Sequence, residues 1–147
     1  MIVFGEDIEF EENEFYALQT ATKTPSPPPG RTIVGEAYWL LTSVPAPPLD
    51  GTSISFTYLG REVPTGQEER LQLYFWDEPQ ETWIALDTEV NLDQNIASAL
   101  TKTAGLYALM TSIQIPFSSE GWNLFAYPVS ASQPVSAALQ SIDQAYS

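Results

Sequence analysis

The sequence contains no cysteine and no histidine among its 147 residues. Without cysteine, the chain has no disulfide framework, no iron–sulfur cluster and no zinc site built from thiolates. Without histidine, it lacks the usual general base, the commonest metal ligand and the Ser-His-Asp triad. Catalysis would therefore depend on carboxylate, hydroxyl or amine side chains alone, and we expect neither an enzyme nor a cofactor.

Basic residues are scarce, with five against nineteen acids, for a net charge of −14. The five bases are scattered along the chain and are Lys23, Arg31, Arg61, Arg70 and Lys102. Nucleic-acid and anionic lipid surfaces attract clustered lysine and arginine, so we expect neither as a partner. No apolar run approaches the ~20 residues of a transmembrane helix, and no secretion signal begins the sequence. Any secretion signal would lie outside this chain.

Acidic and amide side chains give only weak indications of a metal or catalytic site. Six of the acids fall within residues 6–14, which favours a solvated edge strand over a calcium-binding lip. Oxygen ligands recur in residues 91–95, but Ile96 and Lys102 stand where a calcium loop needs glycine and glutamate. A turn between strands is the better interpretation, and no metal site is predicted. Glu36, beside an apolar run, is the acid that we expect to be half-buried.

The sequence is rich in short apolar runs, with 44% hydrophobic and 12% aromatic residues. Alternating runs such as residues 53–58 and 71–76, separated by turn signals, are typical of an antiparallel β-sandwich. Residues 31–41 form one predicted strand, and residues 106–113, apolar on both faces, a central strand. We therefore predict an all-β, Ig-like sandwich. Its predicted shared core comprises Ile54, Phe56, Leu73, Phe75, Leu86, Leu106 and Met110.

The C-terminus carries the only clear helical pattern. Its apolar residues follow helical spacing and are Val135, Ala138, Leu139, Ile142 and Tyr146. We expect three regions: residues 1–30 as an acidic strand or arm with a Pro-rich loop, residues 31–118 as the sandwich, and residues 119–147 as a strand plus an amphipathic helix. The helix would dock on its own sandwich or on a second copy of the chain.

The large aromatic residues are the candidates for a ligand-binding surface. Trp39, Trp76, Trp83 and Trp122, with Tyr58 and Tyr74, would either stack against sugar rings or fill the core, and core packing is the favoured interpretation. In residues 71–76, Tyr74 and Trp76 alternate with the predicted core residues. They are therefore the two aromatics that we expect outside, as weak candidates for ligand binding.

Two stretches resemble modules of large secreted and cell-surface proteins of bacteria. The first runs from LQLYFWD at residues 71–77 through TWIAL at 82–86 and DQN at 93–95 to GLYAL at 105–109. It resembles a repeated β-sandwich module. The second, GWNL at residues 121–124 with YP at 127–128, is similar to the opening of a different module that follows such sandwiches. We expect that this chain is a fragment or that the protein ends in a truncated copy of that second module.

This resemblance implies a role but no catalytic or binding residues. It implies a non-catalytic structural or adhesion module, extracellular or at the cell surface. Its partners would be neighbouring modules of the same polypeptide or another copy of the chain. The alternative function is a carbohydrate-binding module that uses exposed aromatics, with a glycan as the partner.

Overall fold

Two antiparallel β-sheets pack face to face in the computed structural model of the protein. The structure describes residues 1–3, 14–43, 49, 51–101 and 103–112. These residues form ten strands and two short 3₁₀ turns, at Gly60–Glu62 and Glu68–Arg70. The predicted all-β sandwich is therefore confirmed at the level of two packed sheets. The predicted C-terminal helix and residues 4–13 of the acidic N-terminal region lie outside the described residues.

The smaller sheet has four strands in the order β1-β5-β9-β8. They span Ile2–Val3 (β1), Thr52–Thr57 (β5), Ile96–Thr101 (β9) and Thr88–Asn91 (β8). Along β5, Ile54 and Phe56 are buried against the other sheet, whereas Ser53 and Ser55 alternate with them on the opposite side. This alternation of apolar and polar residues is typical of a sheet that packs on one face only.

The larger sheet has six strands, with β10 at its centre. They span Tyr16–Thr20 (β2), Arg31–Ile33 (β3), Tyr38–Thr42 (β4), Gln72–Asp77 (β6), Thr82–Ala85 (β7) and Gly105–Ser112 (β10). The main order is β2-β4-β10-β6-β7, and β3 also pairs with β10. Residues 106–111 are all buried, which confirms the central strand predicted from its two apolar faces.

The core between the sheets draws on alternate residues of both. Ile54 and Phe56 from the smaller sheet lie in one cluster with Leu73, Tyr107 and Leu109 from the larger sheet. Tyr38 and Phe56 bridge the sheets, with ring centroids 5.4 Å apart. The predicted core positions Ile54, Phe56 and Leu73 are confirmed as buried there. Phe75 and Leu86 are partly buried against the same cluster.

A second apolar cluster covers the outer face of the larger sheet. Its buried members are Ala21, Ala37, Tyr74, Trp83, Leu106, Ala108 and Met110. The prediction that Leu106 and Met110 lie between the sheets is therefore wrong. Because side chains alternate along a strand, Tyr107 and Leu109 occupy the inner face of β10 and their even-numbered neighbours the outer one.

Residues 31–41 form two strands and not the single strand predicted. The break contains Gly35, whose φ of +66° lies in the left-handed region that favours glycine. Met110 pairs with Ile33, and Leu106 pairs with Trp39. Both short strands thus lie along the same edge of β10, one after the other.

The turn of residues 91–95 is built as the sequence predicts. The Gln94 backbone N–H donates to Asn91 Oδ1 at 3.1 Å, and the Asn91 amide donates to Gln94 Oε1 at 3.1 Å. Asn95 adopts a φ of +54°, which asparagine tolerates better than most residues. Local hydrogen bonding by the side chain therefore shapes this link between β8 and β9.

Candidate functional site

The segment that connects β2 to β3 lies over the outer face of the larger sheet. It leaves β2 where the Ala21 N–H donates to the carbonyl of Ala37, at 2.8 Å. It then reaches β7, at the far edge of the sheet, where Trp83 Nε1 donates to the Ser26 carbonyl at 3.1 Å. It returns to the centre of the sheet at Arg31, which pairs with Ser112 of β10. We call residues 21–30 the crossing segment.

Proline suits the crossing segment to this position. Residues 25–29 read Pro-Ser-Pro-Pro-Pro, and proline has no N–H that would need a partner. Polyproline II segments commonly dock on aromatic-lined surfaces, because their backbone is already extended and loses little entropy on docking. The contact with Trp83 is a docking contact of this kind, because an aromatic side chain donates its indole N–H to a carbonyl within a proline-rich run.

Tyr74, one of the two predicted ligand-binding residues, is buried. Its side chain is only 5% exposed and its hydroxyl donates to Gln72 Oε1 at 3.2 Å. The guanidinium carbon of Arg31 lies 5.9 Å from the centre of its ring, within the range of a cation–π contact. The prediction that Tyr74 lies outside is wrong, because the larger sheet is covered on both faces.

Trp76, the other predicted residue, is half-buried at the edge of a groove. It pairs across the strands with Trp83, and the two rings meet edge to face with centroids 5.3 Å apart. Trp83 is 8% exposed, so Trp76 is the more accessible member of the pair. The structure thus brings Trp76 and Trp83 together, while Tyr74 belongs to the buried cluster.

The groove beside Trp76 has a volume of about 620 Å³. One wall is the proline-rich part of the crossing segment, residues 25–29. The other wall comes from β6, β7 and the hairpin between them and consists of Trp76, Glu78, Glu81, Thr82 and Trp83. We call it the Trp76 groove.

The hairpin between β6 and β7 presents the polar groups of the Trp76 groove. The Gln80 N–H approaches Asp77 Oδ1 at 3.4 Å, and Glu81 has a φ of +49°. Glu78 and Glu81 are both exposed. Carboxylates accept hydrogen bonds from hydroxyl groups, while an indole offers an apolar face. The groove therefore combines the two kinds of contact that a polyol ring would use.

The fold also brings together two basic residues that the sequence places far apart. Arg31 of β3 and Arg70, just before β6, line one groove of about 430 Å³ at the opposite end of β6 from Trp76. Sequence reasoning missed this site, because the two residues are 39 positions apart in the numbering and meet only through the pairing of β3 and β6 with β10.

The described residues contain no cluster of metal-ligating side chains. In that part of the chain, no group of three or more acidic side chains is arranged to hold a metal ion. Glu36 is exposed, so the expectation that it is half-buried is wrong. It follows Gly35 in the break between β3 and β4, where the chain leaves the sheet. Over the same described ranges, no helix has the length and hydrophobicity to cross a membrane.

No protein-family profile, curated protein or solved structure matches the chain.

Proposed function

We propose that the chain is a non-catalytic, Ig-like β-sandwich module that acts as a structural spacer or adhesion module of an extracellular bacterial protein. The observation that carries this proposal is the larger sheet, which is packed on both faces. Its inner face meets the smaller sheet, and its outer face holds a second buried cluster beneath the crossing segment. A sheet fixed on both sides resists bending, as a spacer requires, and most of its aromatic surface takes part in packing.

The position of the resemblance supports this proposal. The first of the two stretches, within residues 71–109, coincides with β6, β7, the turn before β9, and β10. Of these strands, β10, β6 and β7 are consecutive in the larger sheet. The second stretch, residues 121–128, lies outside the described residues. Neighbouring modules of the same polypeptide, or a second copy of the chain, are the partners that such a role calls for.

Force spectroscopy tests the spacer role. The full chain would be placed between marker domains and stretched from its two ends. We expect one cooperative rupture that releases at least the chain between β1 and β10, at about 3.4 Å per residue less the distance between its ends in the folded state. Leu73→Ala should lower the rupture force, since Leu73 is fully buried between the sheets, whereas Leu100→Ala, at a site 66% exposed, should not. Gradual extension without a rupture would contradict the proposal.

Carbohydrate binding at the Trp76 groove is the second candidate function. The observation that favours it is the half-buried indole of Trp76 beside the carboxylates of Glu78 and Glu81. A glycan array tests it, with Trp76→Ala expected to abolish any signal. Trp39→Ala is the matched control, because Trp39 is also partly buried on the outer face but does not line the groove. An array without signal for the unaltered chain would reject this candidate.

A further inference from the structure

Arg31 and Arg70 lie in one groove of the folded chain. It has a volume of about 430 Å³ and lies where β3, β10 and the start of β6 run side by side. Its lining consists of Arg31, Glu69, Arg70, Leu71, Gln72, Asp87, Thr88 and Ser112. We call it the arginine groove. It is distinct from the Trp76 groove, with which it shares no lining residue.

The Arg31 side chain is held over the sheet. Its backbone is fixed by pairing with Ser112 of β10, and its guanidinium lies 5.9 Å from the Tyr74 ring on β6. The side chain therefore reaches across β10 to the next strand. A guanidinium over a ring face still donates from its edge to an acceptor that lies in the guanidinium plane. The contact with Tyr74 favours one placement of the Arg31 side chain over the sheet.

Arg70 is anchored by its neighbours in sequence. It ends the 3₁₀ turn Glu68–Arg70, and its N–H donates to the carbonyl of Gln67 at 3.0 Å. The next residue, Leu71, is 4% exposed and belongs to the core between the sheets. The backbone under Arg70 is thus fixed, while its side chain remains exposed at the groove.

Neither guanidinium has an acidic partner in the described part of the chain. No ion pair or hydrogen bond forms there at the Arg31 or Arg70 side chain, although Glu69 and Asp87 line the same groove. Arginine forks match the planar geometry of a carboxylate, to which they donate paired hydrogen bonds. Glu69 and Asp87 balance the charge of the two arginines in this groove, and the chain as a whole carries −14. What the groove offers an anion is therefore a pair of guanidiniums whose N–H donors have no acidic partner among the described residues.

We propose that the arginine groove binds the carboxylate of an acidic sugar. The two guanidiniums would hold the carboxylate, and Glu69 and Asp87 would accept hydrogen bonds from the ring hydroxyls. An acidic peptide suits the groove less well, because its further carboxylates would face these two acids and a strongly negative chain. The proposal is independent of carbohydrate binding at the Trp76 groove.

Titration of the full chain with sodium glucuronate, followed by NMR chemical shifts or calorimetry, tests this site. We expect saturable binding that weakens as salt is added, and no binding of glucose, which lacks the carboxylate. Arg31→Gln and Arg70→Gln should each weaken binding about tenfold or more, as expected for loss of a charged hydrogen bond. Arg61→Gln is the matched control, because it removes the same charge outside the groove and should leave the affinity within about twofold.

The variants also separate this proposal from its alternatives. Arg70 is exposed, so Arg70→Gln should keep the melting temperature of the parent even if Arg31→Gln disturbs the contact with Tyr74. Trp76→Ala should leave glucuronate binding unchanged. Equal binding of glucose and glucuronate, or an affinity that Arg70→Gln does not alter, would overturn the proposal. Binding of a triglutamate peptide in place of glucuronate would overturn it as well.

Discussion

Gly105 is the position where one added methyl group should have the largest effect on the fold. It begins β10 with a φ of +148°, a backbone conformation that L side chains rarely adopt. A Cβ atom built there would lie 2.7 Å from Cε2 of Phe75. Phe75 pairs with Tyr107, two residues further along β10, so its ring lies across the glycine. An aromatic ring that covers a glycine on the neighbouring strand is a known device of β-sheets.

The cost of Gly105→Ala follows from two separate effects. Backbone strain at a sparsely populated φ costs about 1–3 kcal/mol. Overpacking against the Phe75 ring, which also contacts Tyr107 at a centroid distance of 5.3 Å, adds about 1–3 kcal/mol. We therefore expect the free energy of unfolding to fall by about 2–6 kcal/mol. At roughly 4 °C per kcal/mol for a domain of this size, the melting temperature should fall by about 8 °C or more.

Urea denaturation of matched variants separates the two effects. Gly66→Ala is the control, because Gly66 has a φ of +74° but no atom within 4 Å of the added Cβ. It should show the backbone strain alone, about 1 kcal/mol. In a Phe75→Leu background, the ring that meets the new methyl group is gone, so the additional cost of Gly105→Ala should fall towards the Gly66→Ala value.

Two results would refute this reasoning. The first is a cost of Gly105→Ala no larger than that of Gly66→Ala, which would mean that the Phe75 ring imposes no steric limit at β10. The second is an equal cost of Gly105→Ala with Phe75 and with Leu at position 75. The two sites would then be energetically independent, contrary to the 2.7 Å approach.

Three further predictions concern hydrogen bonds and titration. Trp83→Phe should destabilise the chain by about 1 kcal/mol in urea titrations, because it removes the donor to the Ser26 carbonyl. Trp39→Phe, at a site with no such bond among the described residues, should cost less. Burial raises the pKa of Tyr107 above 10.0, although its hydrogen bond with Thr101 opposes the shift. The stability due to the neutral phenol is therefore complete below pH 10 and is lost as the pH rises through the folded-state pKa, so Tyr107→Phe should flatten the decline of melting temperature above pH 10. Millimolar calcium should leave the melting temperature unchanged, because Asn91 already uses its side-chain oxygen on the Gln94 N–H; a rise of several degrees with calcium but not magnesium would contradict this.

Sequence patterns were sufficient to predict the strands of the smaller sheet that alternate cleanly. In β5, apolar residues occupy the inner face and serines the outer one, so period two identifies both the strand and its buried side. The division of residues 31–41 was not predictable in the same way. Gly35 and Glu36 interrupt the apolar run, but a glycine within a strand pattern does not by itself end the strand. The positive φ at Gly35, which separates β3 from β4, is a property of the folded chain.

The candidate sites were predictable only in part. Trp76 does line a groove, but the proline-rich wall opposite it comes from a segment some 50 residues earlier in the sequence. No sequence pattern indicated the arginine groove. Its two arginines become neighbours because β10 pairs with β3 on one side and with β6 on the other. Which strands pair depends on the topology of the sheet, and the alternation of apolar and polar residues within a strand does not specify that topology.

Tyr74 is buried although it lies opposite the inner-face residues of β6, because alternation along a strand does not reveal whether one or both faces of its sheet are covered. Alternation along β6 divides its residues into two sets, with Leu73 and Phe75 in one and Tyr74 and Trp76 in the other. It predicts an exposed set only if the sheet packs on one face. In this protein the proline-rich crossing segment lies over the outer face, so both sets contribute to packing and Tyr74 is 5% exposed. An apolar central strand such as β10, flanked by strands with aromatics in both sets, therefore indicates a sheet covered twice. In such a sheet, ligand-binding aromatics are to be sought at the ends of strands, where Trp76 lies, and not along their length.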